Sequence, residues 1–322
     1  MAIIPRFEEV KRTACKASIM IEGLTGKGKS GLALIIARGL VDNWDEVFDI
    51  DTENNSIKLF ADIPCSSGNK FEKFKVGSLT PDIGYKPTNY IAYREAAKKA
   101  GAKVVIEDSI SHAWSYKGGI LDMLAELKKN NIRYQKDAYA AWGDEDIVKE
   151  KNELLQLLRD PEVHVITTVR VKEKMEYSTD GAGKTILVSL GEQQIQQADL
   201  KYEPDLVLHM IKPGKVKGDV IQHPVAKVIK SRYAIFDEGE EYEFTPQLIA
   251  QLKAYLEEGV DPQTLLEAQR QDYIAAIKTY LDGHLNAVAI WKVLKTDAGH
   301  EKTKLEDIPL DTIKQLYIKL TE

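Results

Sequence analysis

The most specific chemical pattern in this chain lies near its amino terminus. Residues 23–30 read G-L-T-G-K-G-K-S and fill every fixed position of the pattern G-x-x-x-x-G-K-[ST]. In such a loop, glycines let the backbone curl so that successive amide N–H groups point at phosphate oxygens. Lys29 places a positive charge on the β and γ phosphates, and the Ser30 hydroxyl helps to hold Mg²⁺. The expected ligand is therefore a nucleoside triphosphate, with ATP the first candidate. The residues expected to surround its phosphates are Gly23, Leu24, Thr25, Gly26, Lys27, Gly28, Lys29, Ser30 and Gly31.

The segments on either side of this loop have the required structure. The apolar run S-I-M-I-E-G before it predicts a strand, and G-L-A-L-I-I-A-R-G-L after it predicts a helix that ends near Gly39. The positive end of that helix dipole points at a bound phosphate. The alternative, a chance match in an ordinary turn, leaves this strand–loop–helix order unexplained.

Two acidic strand ends supply candidates for the metal and for the attacking water. Asp108 ends the apolar run V-V-I-E-D-S and is expected to hold Mg²⁺ from its outer coordination sphere, beside Ser30. Glu107 alternates onto the opposite face of that strand. Glu53, at the end of D-I-D-T-E, is therefore the candidate that polarises the water. The alternatives are an acid that caps a turn at Asp108 and a solvated loop acid at Glu53.

Two later strands supply the remaining parts of a hydrolytic site. Thr168, in V-I-T-T-V-R, is the candidate sensor of the γ phosphate, and Thr167 is its rival. Lys230 and Arg232, in K-V-I-K-S-R-Y, alternate onto one face near a strand end. Such a pair can act as a finger on a neighbouring subunit's nucleotide. The alternatives are a plain strand threonine and a solvent-facing basic strand end.

The order of elements predicts an α/β protein with a mostly parallel sheet covered on both faces. Predicted strands are 18–23, 46–55, 69–77, 103–109, 163–169, 205–211 and 220–231. Predicted helices are 90–100, 120–129, 144–159, 245–258, 262–281, 285–294 and 310–320. Residues 170–190 are polar and predict a hairpin or a mobile loop. A boundary near Gly259 divides a core, 1–258, from a small helical region, 259–322.

Composition limits the class of protein. The 44 Lys and Arg against 50 Asp and Glu give a net charge of −6, which argues against a uniformly basic nucleic-acid binder but allows a local basic groove. Two cysteines in no metal-binding spacing fit a reducing cytosol. The sequence lacks an apolar run of membrane-spanning length and a signal-peptide pattern. We therefore expect a soluble, cytoplasmic protein without a membrane partner.

These pieces, in this order, resemble the RecA-like ATPase core over roughly residues 15–245. The matching residues are Gly23 to Ser30, Asp51-Thr52-Glu53, Asp108-Ser109, Thr168 and Lys230-Ser231-Arg232. The resemblance implies that Glu53 is the catalytic base, that the late basic pair reaches a neighbouring subunit, and that subunits form a ring or filament. One departure is the threonine at the sensor position, where the recombinases have glutamine; it puts the coupling of hydrolysis to DNA binding in doubt.

A narrower resemblance is to phage-encoded ATPases that act as single-strand annealing proteins. The run T-T-V-R-V-K-E-K and residues 201–208 carry it. It implies single-stranded DNA as the partner, with a single-strand-binding protein as a further one, and a location in the host cytoplasm.

Two segments are candidates for contact with DNA. Arg170, Lys172 and Lys174 alternate after the sensor strand and lead into residues 176–190, which add Lys184. In residues 130–142, Arg133 and Lys136 are interleaved with Tyr134, Tyr139 and Trp142, which suits backbone pairing and base stacking on single strands. The alternatives are a solvated basic strand end and, for residues 130–142, a connection whose aromatic rings pack on the core. Trp114 and Tyr116 are expected in the core or the nucleotide pocket.

Three functions fit these observations. The first is an oligomeric, DNA-dependent ATPase that binds single-stranded DNA and promotes annealing or recombination. The second is a hexameric helicase-type motor, which uses a basic finger equally well. The third is a nucleotide-gated adaptor or loader without intrinsic affinity for DNA, which the acidic net charge allows.

Overall fold

The chain forms two compact units in a computed structural model. The structure describes residues 10–68, 70–137, 139–179, 185–218, 220–284 and 286–321. One unit comprises Lys16–Leu256, and the other combines Met1–Cys15 with Glu257–Glu322.

The larger unit holds the strands and the first seven helices. The strands are β1 Ser18–Gly23, β2 Val47–Asp51, β3 Lys75–Ser78, β4 Val104–Asp108, β5 His164–Thr179, β6 Thr185–Gln194, β7 Leu206–Lys212, β8 Lys215–Lys217, β9 Val220–Gln222, β10 Val225–Ser231 and β11 Glu241–Glu243. The helices are α1 Lys29–Leu40, α2 Pro87–Lys99, α3 Ser111–Ser115, α4 Ile120–Asn130, α5 Ile132–Lys136, α6 Glu145–Gln156 and α7 Pro246–Glu257.

The central sheet runs in the order β11-β10-β7-β1-β5-β4-β2-β3, and β6 pairs with β5 outside this path. Strands β7, β1, β5, β4, β2 and β3 are parallel, whereas β10 is antiparallel to β7. The predicted α/β class, with a mostly parallel central sheet flanked by helices, is confirmed. This order places the carboxyl ends of β1, β4 and β2 at one edge of the sheet, beside residues 167–170 in the middle of β5.

Alternating side chains along each strand bury the two faces of the sheet in separate cores. Ile19 and Ile21 pack on the face that carries α1, while Met20, between them, packs on the face that carries α2 and α6. On β4, Ile106 and Val105 divide in the same way. The strands are buried on both faces, which explains why they read as continuous apolar runs.

Several elements differ from the sequence-based expectation. β5 does not end at residue 169 but continues to Thr179 and pairs antiparallel with β6, so the hairpin alternative for residues 170–190 is the one observed. The single strand expected over 220–231 is broken before Val225, because Pro224 has no N–H to donate to a ladder. The short helices α3 and α5 carry too few residues to show a helical period.

The smaller unit contains α8 Pro262–Gly283, α9 Ala287–Asp297 and α10 Leu310–Thr321. Their shared core includes Ile277, Trp291 and Ile313. Thr13 forms a parallel bridge with Val260, so the amino-terminal segment joins this unit. The expected boundary near Gly259 is close to Glu257, where the second part of the smaller unit begins. No sequence pattern indicates that residues 1–15 also belong to this unit. In the described part of the chain, no helix is long and apolar enough to cross a membrane.

Candidate active site

The glycine loop joins β1 to α1 in a curled conformation. Gly26 and Gly28 have φ angles of 78° and 89°, in the left-handed region that glycine tolerates best. A Cβ on Gly28 would lie 2.7 Å from the Cβ of Pro213, so this position also excludes side chains by contact. Lys29 is buried, and its ammonium donates to the carbonyls of Gly23 at 3.0 Å and Leu24 at 3.1 Å. Burial lowers the pKa of Lys29.

Asp108 connects the glycine loop to the neighbouring strand β5. Its carboxylate accepts a hydrogen bond from the Ser30 hydroxyl, and its other oxygen accepts one from the Thr168 hydroxyl at 2.5 Å. The peptide bond from Asp108 to Ser109 is cis. Burial raises the pKa of Asp108, and the nearby Glu53 adds to this. Thr168, rather than its rival Thr167, therefore lies against the carboxylate.

Glu107 points away from this site. It is fully buried on the opposite face of β4, where its carboxylate is bound by the Arg94 guanidinium. Arg94 also donates to the backbone carbonyls that follow α6. Burial raises the pKa of Glu107, although Arg94 opposes that shift. The arrangement matches the expectation from strand alternation that Glu107 and Asp108 occupy different environments.

Glu53 lies just beyond the end of β2, two strands from β5. Its backbone N–H donates to Asp51 at 2.8 Å, and its Oε1 accepts from the Nε of Arg170 at 2.8 Å. Burial disfavours the charged carboxylate, but Arg170 outweighs this and lowers the pKa of Glu53. The interaction spans 117 residues of sequence. Glu53 is thus held at the same edge of the sheet as Lys29 and Asp108.

Next to Glu53 lies a group of polar residues that includes His112 on α3, which sequence reasoning missed. His112 Nδ1 contacts the Thr52 hydroxyl at 2.7 Å, and burial lowers the pKa of His112 to about 4. The Thr52 hydroxyl accepts from the N–H of Ser109 at 2.8 Å and lies 3.0 Å from the carbonyl of Asp108. The Tyr116 hydroxyl accepts from Arg170 at 2.8 Å. No motif marks His112, which only the shared edge of the sheet brings to Thr52. Tyr116, expected in the core or the nucleotide pocket, is 42% exposed and contacts Arg170 of the candidate site.

A second missed feature is a set of carboxyl groups on the α1 face of the sheet. Asp51 pairs in register with Asp108, and Asp49 lies one alternation deeper, opposite Ile106. Both oxygens of Asp49 are buried without a hydrogen-bond partner among the described residues. Burial, followed by repulsion from Asp108, raises the pKa of Asp49 well above its usual range. Burial at this position therefore favours the neutral form of the Asp49 carboxyl over its charged form.

A pocket of about 450 Å³ opens beside the glycine loop. Its polar side includes Lys29, Ser30, Glu53 and Asp108. Its apolar side comes from the segment after Glu53 and consists of Leu59, Phe60 and Ile63. Leu59 is 76% exposed and Ile63 is 48% exposed, which is unusual for large apolar side chains beside a polar site.

The predicted finger residues are not at this edge. β10 is antiparallel to β7, and Ser231 pairs with Leu206 at the start of β7. Lys230 and Arg232 therefore lie at the opposite edge of the sheet, roughly 15 Å along the strands from the glycine loop. Lys230 donates to the carbonyls of Tyr202 and of Pro204, the latter at 2.6 Å. Arg232 forms an ion pair with Asp205 at 2.9 Å.

The residues expected to contact DNA fall into three groups. Lys172, Arg133 and Lys136 have exposed side chains. Arg170 is instead bound to Glu53 at the candidate site. The side chain of Lys174 and the whole of Lys184 lie outside what the structure describes.

The aromatic residues of the 130–142 segment divide between the surface and the core. Tyr139 is 87% exposed, whereas Trp142 packs against the core and stacks on Trp114 with ring centroids 6.1 Å apart. Trp142 therefore corresponds to the packing alternative rather than to a stacking platform.

No protein-family model matches this chain, and a comparison with curated proteins finds no match.

Proposed function

We propose that this chain is an ATP-hydrolysing P-loop enzyme that binds single-stranded DNA and promotes annealing or recombination. The observation that carries the enzymatic part is the hydrogen-bonded series Ser30–Asp108–Thr168 beneath the glycine loop, with Glu53 beside it. Phosphoryl transfer to water requires a hydroxyl and a carboxylate for the metal, an ammonium for the phosphates and a second carboxylate for the water. All four groups lie at this edge of the sheet. The DNA-acting part rests on the resemblance and on the basic hairpin strand.

The residues at the pocket fit ATP. The curled loop, with Lys29 buried in it, provides the cation and backbone N–H groups for a triphosphate. Lys29 donates to two loop carbonyls, and a phosphate oxygen is a stronger acceptor for its ammonium than either of them. The exposed apolar groups of Leu59, Phe60 and Ile63 suit the flat face of a base. ATP binding accounts for both sides of the pocket.

The residues present also fit Mg²⁺. Among the described residues, no three His, Cys, Asp or Glu side chains are grouped to hold a metal ion. Mg²⁺ is commonly bound by one or two protein oxygens together with substrate phosphates and water. Ser30 and Asp108 supply those oxygens here. When bound, the ion neutralises charge that develops on the transferred phosphoryl group.

Glu53 is assigned the proton transfer. Its carboxylate accepts a proton from the attacking water while the oxygen of that water bonds to the γ phosphorus and the bond to the leaving ADP oxygen breaks. Thr168 bonds to Asp108 and lies on β5 just before the β5–β6 hairpin. A change at the phosphate site can therefore reach the hairpin through Thr168. Subunits assemble in a ring or filament in which Lys230 and Arg232 reach a neighbouring site.

The test is the rate of ATP hydrolysis with and without single-stranded DNA, on protein whose oligomeric state is measured in parallel. Nucleotide binding by calorimetry to Lys29→Ala is the control, because this change removes the cation that binds the phosphates. We expect binding and turnover by the unmodified chain and a large loss of both in the variant. Equal heats for both proteins contradict the proposal. Unwinding of a forked duplex indicates a motor instead of an annealing protein, and binding of ATP without affinity for DNA indicates an adaptor.

A further inference from the structure

The β5–β6 hairpin is attached to the candidate site by side chains from both of its strands. Arg170, on the outgoing strand, donates to Glu53 at 2.8 Å and to the Tyr116 hydroxyl at 2.8 Å. Gln194, on the returning strand, donates to Glu22, the residue directly before the glycine loop. The hairpin therefore contacts both the proposed base and the strand that carries the loop.

The backbone at Arg170 is also fixed. Its N–H donates to the Ser111 hydroxyl at 2.9 Å, and its carbonyl accepts from the N–H of Ile195 at 2.8 Å. The guanidinium lies over the Tyr116 ring, with 5.6 Å from Cζ to the ring centroid. The side chains of Arg170 and Glu53 are 21% and 20% exposed, so a ligand can approach their pair from solvent. The backbone of Arg170 is therefore held independently of the contacts that its guanidinium makes with Glu53 and Tyr116.

We propose that Arg170 is a positioning residue that restrains Glu53, and that a phosphate of single-stranded DNA on the β5–β6 hairpin releases this restraint by taking the guanidinium. The proposal rests on the function proposed above. While Arg170 is bound, one oxygen of Glu53 is engaged, and the carboxylate is a weaker proton acceptor because its ionised form is stabilised. A guanidinium binds a phosphate group at least as strongly as it binds a carboxylate group. Nucleic acid and Glu53 therefore compete for one cation, and hydrolysis is coupled to binding at the hairpin.

This arrangement gives Arg170 a different role from that of Lys172, two residues further along β5. Lys172 is exposed and can contribute charge to DNA binding without touching the site. Arg170 lies on the same side of β5 as Lys172, but it is level with Gly23 and its side chain contacts Glu53. Loss of Lys172 is thus expected to weaken DNA binding alone, whereas loss of Arg170 changes hydrolysis.

The test compares Arg170→Ala, Glu53→Gln, the double variant and the unmodified chain, with kcat and KM for ATP measured with and without an oligodeoxythymidylate. Arg170→Ala is expected to raise kcat without DNA by about three- to tenfold, the range expected for release of one charge-assisted hydrogen bond at a partly exposed site. Its KM for ATP stays within about twofold, and the oligonucleotide no longer stimulates it. In the Glu53→Gln background Arg170→Ala gives no gain, since there is no base to release.

Lys253→Ala is the matched control. Lys253 also pairs with a carboxylate, that of Asp42 at 2.9 Å, but beyond the end of α1 that lies away from the glycine loop. It should leave kcat and its stimulation by DNA unchanged. If the unmodified chain binds and hydrolyses ATP but Arg170→Ala has an unchanged or lower kcat, the inference about Arg170 is wrong and the proposed function still stands. A lack of stimulation of the unmodified chain overturns the release step. Equal nucleotide binding by the unmodified chain and Lys29→Ala overturns the proposed function itself.

Discussion

In the proposed hydrolysis, Glu53 is the residue that acts on the attacking water. Replacing Glu53 with glutamine keeps the shape and one hydrogen-bond acceptor for Arg170 but removes the proton acceptor. We expect kcat to fall by about 10²- to 10⁴-fold, the usual contribution of a general base, while ATP affinity stays nearly unchanged. Single-turnover hydrolysis together with calorimetric binding of ATP measures both.

Glu126→Gln is a suitable control for this change. Glu126 is exposed on α4, and its contact is with Asn130 on the same helix. It should hydrolyse ATP at the normal rate. Normal hydrolysis by Glu53→Gln, in contrast, shows that another group activates the water.

The residues of the site differ in how far the sequence could identify them. Glu53 and Asp108 follow buried strands, and parallel strands end at one edge of a sheet, so their proximity could be expected. Arg170 was placed among basic residues that face DNA, because its alternation with Lys172 and Lys174 is the only local pattern around it. Its interaction with Glu53 depends on how β5 aligns with β2, two strands away in the sheet. No local sequence pattern specifies that alignment.

At the scale of elements, β4 shows how one strand serves both chemistry and stability. Asp108 faces the site, and Glu107 faces Arg94 in a buried ion pair. We expect Glu107→Gln to reduce the free energy of unfolding by about 3 kcal/mol, since the buried Arg94 charge loses its nearer carboxylate and keeps only Asp160, at 4.0 Å. Urea unfolding measures this loss, and ATP turnover by the remaining folded protein should be normal.

Glu95→Gln is the control at the surface. Glu95 pairs with Lys98 on α2, but its side chain is 48% exposed. Its loss is expected to change the free energy of unfolding by less than about 1 kcal/mol. Similar losses for both variants indicate that Arg94 is solvated when Glu107 is neutral.

His164, at the start of β5, predicts a dependence of stability on pH. Its Nδ1 accepts from the N–H of Ala17 at 2.9 Å, and burial lowers the pKa of His164 from 6.5 to about 3. Between these values the unfolded chain binds a proton that the folded chain does not. The free energy of unfolding therefore falls as pH falls, with about 2 kcal/mol lost between pH 7 and pH 5 through this residue.

His164→Asn removes the titrating group and retains an acceptor near Ala17. The variant should lose less stability than the unmodified chain when urea unfolding is compared at pH 7 and pH 5. His112, with its pKa lowered to about 4, contributes the same dependence to both proteins and cancels in the comparison. Equal losses in the two proteins contradict the assignment to His164.

Strands and helices can be predicted from sequence where a long apolar run is present, but not where a tertiary contact decides or where the element is too short to show a period. The strands that flank the site were expected near their observed positions, because each is buried on both faces. The continuation of β5 through polar residues depends on pairing with β6, which is a tertiary contact. The helix α3, which carries His112, is only five residues long and has no detectable period.

At the scale of the molecule, the position of Lys230 and Arg232 sets a condition on assembly. Both lie at the edge of the sheet opposite the glycine loop, so within one chain they cannot reach a phosphate placed at Lys29. Each also has a local role, since they bind the segment around Pro204 and Asp205. A role in hydrolysis therefore requires a second subunit whose site faces this edge.

This condition predicts complementation between two inactive variants. Lys29→Ala lacks the phosphate-binding cation but keeps the finger, and the double change Lys230→Ala and Arg232→Ala keeps the site but lacks the finger. Random assembly of equal amounts places an intact site against an intact finger at about a quarter of the interfaces, because each component is drawn with equal chance. ATP turnover by the mixture should therefore recover to about a quarter of that of the unmodified chain, while each variant alone stays inactive. If the mixture assembles but does not recover turnover, Lys230 and Arg232 serve only to stabilise the Pro204 segment. The cation at the transferred phosphate is then left to Lys29.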